Sequence, residues 1–106
     1  MRDPLRVRLR EADLHVAPDL RDRISSAISD GAHELVVDLT ETTFVDSMTL
    51  GVLLGGMKRL RANGGRLRLV VARPDVRRIF EITLLDRVFP LHTTRAEALA
   101  AAGEGP

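Results

Sequence analysis

Cysteine, tryptophan and tyrosine are absent from the 106 residues, phenylalanine occurs three times, and Lys58 is the single lysine. Without cysteine, disulfides, thiolate metal sites and thiol nucleophiles are excluded. So few aromatic rings leave no stacking platform for single-stranded nucleic acid. An excess of one charge is missing as well: 16 basic and 15 acidic residues leave a net charge of +1, far from the basic excess of a nucleic-acid binder. No apolar run approaches the roughly 18–20 residues of a membrane span. Met1-Arg2-Asp3-Pro4 lacks the apolar stretch of a signal peptide. These absences predict a cytoplasmic protein that neither binds nucleic acid nor inserts into a membrane. The length suits one domain that buries roughly 60–70% of its unfolded surface. Its core is expected at about 5–101, with a frayed tail over 102–106.

What is present alternates. Leu5, Val7 and Leu9 interleave with Arg6, Arg8 and Arg10, the period of a strand with one buried face. Pro18 is placed to open a helix carrying Leu20, Ile24, Ala27 and Ile28, which Asp30-Gly31 would stop. Leu35-Val36-Val37 is a continuous apolar run, as in a strand covered on both faces. Leu50, Leu53, Leu54, Met57 and Leu60 recur at helical spacing until Asn63-Gly64-Gly65. Residues 67–71 read as another strand, and Pro74 opens a helix that turns Val76, Ile79 and Phe80 inward. Val88-Phe89 with Leu91 suggests a last short strand, and Thr94 with Glu97 forms a capping box for a final small-faced helix. The order β-α-β-α-β-α-β-α predicts an α/β domain: a mostly parallel four-stranded sheet with about four helices.

Sites in such sheets gather beyond the carboxyl ends of the strands. The richest segment there is Phe44-Val45-Asp46-Ser47-Met48-Thr49-Leu50-Gly51, which sets a hydroxyl beside a carboxylate at a helix start. Ser47 reads as an N-cap, worth about 1 kcal/mol. It also reads as a phosphoacceptor, because a phosphoserine at a helix N-terminus gains from the dipole and the free amides. The two roles are compatible. Gly51, Gly55 and Gly56 crowd one stretch of the helix, where each costs about 1 kcal/mol. Close packing explains Gly55; Gly51 is open to packing or to a partner's approach.

Phe44-Val45-Asp46-Ser47 followed by Leu50-Gly51-Val52-Leu53-Leu54 resembles the signature of the STAS domain, the family of anti-sigma factor antagonists. The resemblance extends through Arg10-Glu11-Ala12-Asp13, Leu35-Val36-Val37-Asp38-Leu39, Gly64-Gly65-Arg66-Leu67, the segments 76–80 and 85–90, and Glu97-Ala98-Leu99. It implies an unphosphorylated form that binds an anti-sigma factor, itself a serine kinase, and so frees a sigma factor. Phosphorylation then releases the antagonist, and a serine phosphatase resets it. Carried over, Ser47 is the acceptor, with Thr49 as a rival hydroxyl. Asp13, Asp46, Ser47, Met48, Thr49, Leu50 and Gly51 form the docking surface. The chain needs no cofactor; ATP and magnesium belong to the kinase.

Three departures stand out. Met48-Thr49 replaces the Ser-Gly that usually follows the acceptor, and Leu84 stands where glycine is common. The family also normally has a strand before the segment at Leu5. Either that edge strand is lost or the true start lies upstream, and an unpaired edge would promote homodimers.

Two other readings remain. One is a STAS module that is not switched, serving as a scaffold or a transport-complex subunit. The other is an enzyme or small-ligand domain built on Asp13, Asp38 and Asp46, which requires a deep pocket with perturbed carboxylates. His15, His33 and His92 are scattered as surface or loop residues, and no metal-ligand spacing or phosphate-binding glycine loop occurs.

Overall fold

Leu35, Val36 and Val37 have no solvent exposure, so the strand that carries them is covered on both faces. The computed structural model describes residues 5–8 and 16–102. Asp13, His15 and residues 103–106 of the tail lie outside the described residues. β1 (Leu5–Arg8), β2 (Glu34–Asp38) and β3 (Arg66–Val70) run side by side, and β4 is cut to Leu91–His92. The order is β1-β2-β3-β4 and every pairing is parallel. Leu35 stands opposite Leu5 on one side and Leu67 on the other.

Val88 and Phe89 do not join the last strand as the sequence suggested. A 3₁₀ turn over Leu85–Arg87 precedes them, and Phe89 meets Phe80 edge to face with ring centroids 6.3 Å apart. That contact satisfies the apolar pair without any sheet pairing.

The connecting helices are α1 (Val16–Ser29), α2 (Ser47–Ala62) and α3 (Pro74–Ile82). Right-handed crossovers between strands added in one direction put all three on the same face. Accordingly Leu20 and Ile24 of α1, Leu53 and Leu60 of α2, and Phe80 of α3 share one core with Leu35, Val37, Leu67 and Leu69. α1 begins two residues before Pro18, which still falls in the first turn, where its missing N–H is harmless. Among the described residues α4 (Arg95–Ala101) alone covers the other face. There Ala98 packs on Val36 and Val70. Thr94 Oγ1 accepts from Glu97 N at 3.1 Å, while Glu97 reaches back to Thr93 N at 3.0 Å.

The uncovered part of that face is polar. Arg68 pairs with Glu34 at 3.3 Å and lies 3.4 Å from His92 Nε2. Burial first, then the Arg68 charge, holds His92 below the usual histidine range. His92 is thus a half-buried strand residue, contrary to its reading as a surface or loop residue.

Three helices end on a left-handed residue one place past the cap. After α1 it is Gly31 (φ 90°), and after α2 it is Gly64 (φ 79°). Their amides and those of the next residues return to the helix carbonyls: Gly31 to Ile28, Ala32 to Ala27, Gly64 to Arg61 and Gly65 to Leu60. This is the Schellman pattern. After α3 the same place holds Leu84, with φ 62° and its amide bonded to Glu81 O. Left-handed backbone costs a leucine about 1–2 kcal/mol, which accounts for glycine being common there. Because Leu84 is 58% exposed, its side chain returns little packing. Leu84→Gly is expected to stabilise the fold by about 0.5–1 kcal/mol after the entropy cost of glycine in the unfolded chain. The urea midpoint measures this, and a lower midpoint would show that the Leu84 side chain contributes more than its backbone costs.

Candidate functional site

The segment between β2 and α2 is pinned at both ends. At its start Leu39 N bonds to Val70 O at 2.9 Å and extends the sheet by one link. Asp38, buried at the strand end, accepts from Thr40 N at 2.9 Å and from the Thr40 hydroxyl. Thr42 N closes a turn on Leu39 O. Val45 then drops into the core while its neighbour Phe44 stands 71% exposed, the alternation of an extended backbone.

Asp46, in place of Ser47, is the N-cap of α2. Its backbone is extended (φ −98°, ψ 175°), and its Oδ1 accepts from Thr49 N at 2.8 Å. Asp and Ser cap about equally well, so the residue types alone did not separate them. The buried Val45 just before sets the helix entry one residue earlier. Ser47 becomes the first helical residue, with an exposed side chain. Its hydroxyl is therefore free of capping duty, beside amides that have no intrahelical acceptor.

Of the expected docking residues, Asp46, Ser47, Met48 and Gly51 share the exposed surface, and Met48 is 60% exposed. Leu50 is half-buried and packs against the main core. Thr49 is only 6% exposed and is engaged with Asp46. Its burial runs against both its docking role and its role as rival acceptor. Asp13 lies outside the described residues.

Sequence reasoning missed several contributors. Phe44 was read only as part of the family signature, yet it is the most exposed large apolar side chain beside Ser47. Thr42 Oγ1 is buried with no hydrogen-bond partner among the described residues, and only the polar run at 40–43 hinted at it. A groove of about 390 Å³ runs from Met48 between α1 and α2, with Arg21 and Arg59 beside it. Gly51 and Gly55 line this groove, and a Cβ at either would meet nothing within 4 Å. The packing role expected of Gly55 belongs to Gly56 instead, where a Cβ would come within 2.8 Å of Ile24 Cγ2.

The three-carboxylate reading fares poorly in this geometry. Asp38 is committed to Thr40 and Asp46 to the helix start, and neither lines the groove. Among the described residues no group of three or more His, Asp or Glu side chains is placed to hold a metal ion.

The Thr49 amide, and after it the Thr49 hydroxyl, hold the Asp46 carboxyl below the usual carboxylate range. A lowered folded pKa stabilises above the unfolded value of about 3.9 and is lost as pH falls through the folded one. Asp46→Ala should therefore lower the melting temperature at neutral pH, and the gap to wild type should narrow as pH falls below the usual carboxylate range. Thermal melts across that range check it; a gap of constant size would mean that the carboxylate charge is not the source.

A family model for the STAS domain matches residues 7–98. The anti-sigma-B factor antagonist of Staphylococcus aureus is 30% identical over 73 residues, which cover 69% of this chain and 68% of that relative. The solved structure of the anti-sigma factor antagonist SpoIIAA in its unphosphorylated form aligns with a TM-score of 0.81 at 29% identity, covering 100% of this chain and 93% of the other. The phosphorylated form of SpoIIAA, a Bacillus cell fate determinant, aligns with a TM-score of 0.63 at 26% identity, covering 93% and 85%. With the family match running from β1 into α4, the chain belongs to the STAS domain family.

Proposed function

We propose that the chain is an anti-sigma factor antagonist whose binding is switched by phosphorylation at Ser47. In the unphosphorylated form it docks on an anti-sigma factor that is also a serine kinase, and the sigma factor is released. The chain is ligand and phosphoryl acceptor, not catalyst; ATP and magnesium are the kinase's, and a serine phosphatase restores the free hydroxyl. The observation that carries this reading is the exposed Ser47 hydroxyl at the first position of α2, flanked by the exposed apolar side chains of Phe44 and Met48. The named relatives support the antagonist role, and SpoIIAA has been solved in a phosphorylated form.

Physical chemistry favours Ser47 over Thr49 as the acceptor. A phosphoryl group on Ser47 adds a charge of about −1.5 to −2 at the positive end of α2. The fold tolerates that charge, while an apolar docking surface does not. The same charge on Thr49 would need the helix start to open. A cytoplasmic setting follows from a kinase partner that uses ATP, and no helix among the described residues is long and apolar enough to cross a membrane. β1 is a sheet edge among the described residues, the place from which a homodimer would form by strand pairing. One observation favours the unswitched scaffold or transport-subunit reading: Met48 puts bulk directly after the acceptor.

With the cognate kinase and ATP, intact-mass measurement should show one phosphoryl group on the wild type and on Thr49→Ala, and none on Ser47→Ala. Ser47→Asp should weaken kinase binding by at least about tenfold, about 1.4 kcal/mol, while Ser47→Ala binds and is not released by ATP. Wild-type binding and release by both Ser47 variants would sink the switch.

A further inference from the structure

A second hollow, of about 530 Å³, lies at the opposite end of α2 from Ser47. Fourteen helical positions separate Ser47 from Arg61, about 21 Å at 1.5 Å per residue. The walls bring three arginines together from three elements: Arg61 from the last turn of α2, Arg66 from the start of β3, and Arg87 from the 3₁₀ turn. Several arginines elsewhere have partners, though the exposed Arg21, Arg78 and Arg95 form no ion pair among the described residues. Arg68 pairs with Glu34, Arg73 with Asp75 and Arg77 with Glu81, and Arg59 donates to Ser25. The three in the hollow form no ion pair among the described residues, and the one contact among them is Arg61 Nη1 to Met57 Sδ at 3.9 Å.

The helix dipole accounts for Arg61, since cations are favoured in a last turn. It accounts for neither Arg66 nor Arg87. Three like charges lining one hollow raise the local positive potential, which favours an anion there. Guanidinium groups match a phosphoryl group in geometry, two parallel N–H bonds per arginine. Part of the lining is apolar: Met57, Leu67 and Phe89 lie buried beneath and Val88 is half-buried at the wall. Asp86 also faces the hollow, where its carboxylate opposes a bare anion but accepts from a ligand hydroxyl or amine. The volume falls within the range of small-molecule sites, about 300–1,000 Å³.

We propose that this hollow is a binding site for a phosphorylated small molecule, its phosphoryl group among Arg61, Arg66 and Arg87 and its apolar part against Met57 and Val88. The site is independent of the Ser47 switch.

The test is a titration of the isotope-labelled full chain, followed by amide NMR, with phenyl phosphate, inorganic phosphate and sodium chloride as probes. Phenyl phosphate should shift the amides of Gly64, Gly65, Arg66 and Arg87 saturably, and bind about tenfold more tightly than inorganic phosphate. Arg61→Gln and Arg87→Gln should each weaken it about tenfold, whereas Arg78→Gln, on the exposed face of α3, should leave it unchanged. All three residues are exposed, so an unchanged melting temperature verifies that the variants are folded. Equal affinity for the two phosphates would overturn the apolar part of the site. Shifts that follow sodium chloride, survive Arg87→Gln or fail to appear at millimolar phenyl phosphate would overturn the site itself.

Discussion

Burial of β2 on both faces is the constraint from which the rest follows. A strand with Leu35, Val36 and Val37 all out of water needs a layer on each side. Parallel neighbours with crossover helices supply the first layer. Because the strands are added in one direction, those crossovers all fall on one side. Among the described residues the other side is left to α4, a helix of seven residues that packs through Ala98 and Leu99. One layer is therefore a full core and the other a narrow strip, with Arg68, Glu34 and His92 filling the remainder as a polar network.

The same topology shapes the candidate site. Ligand crevices in open sheets form where the strand order reverses, and β1-β2-β3-β4 has no reversal among the described residues. The ends of β2 and β3 lead instead to an exposed loop and a helix N-terminus. Such a surface suits a protein partner better than an enclosed substrate. Its chemistry is local: Asp46 holds the helix start, Val45 anchors the loop, and Ser47 is left exposed and unengaged among the described residues.

The parts of this arrangement that rest on short-range rules were legible in the sequence. The end of α2 at Asn63-Gly64, the Thr94 cap and the apolar run of β2 each follow from residues within one turn of the feature. The parts that depend on contacts across the fold were not. Val88-Phe89 has the composition of a strand, but ring packing of Phe89 on Phe80 decided its conformation. Gly55 and Gly56 are adjacent and both line the groove, and a turn of about 100° on the helix decides which of them also packs against Ile24. Leu84 in a left-handed conformation contradicts its own propensity, so only comparison with a family that favours glycine there pointed to it.

Gly51 and Gly55 carry a consequence for how this surface can vary. Each costs the helix about 1 kcal/mol relative to alanine, and neither meets a neighbour that would require its absent side chain. The groove wall is thus set at positions where a methyl group or more can be added with no repacking beneath. Shape at the surface and cohesion of the core are written on different faces of one helix. A chain built this way can change the shape of this surface through small steps, none of which has to be reconciled with the interior.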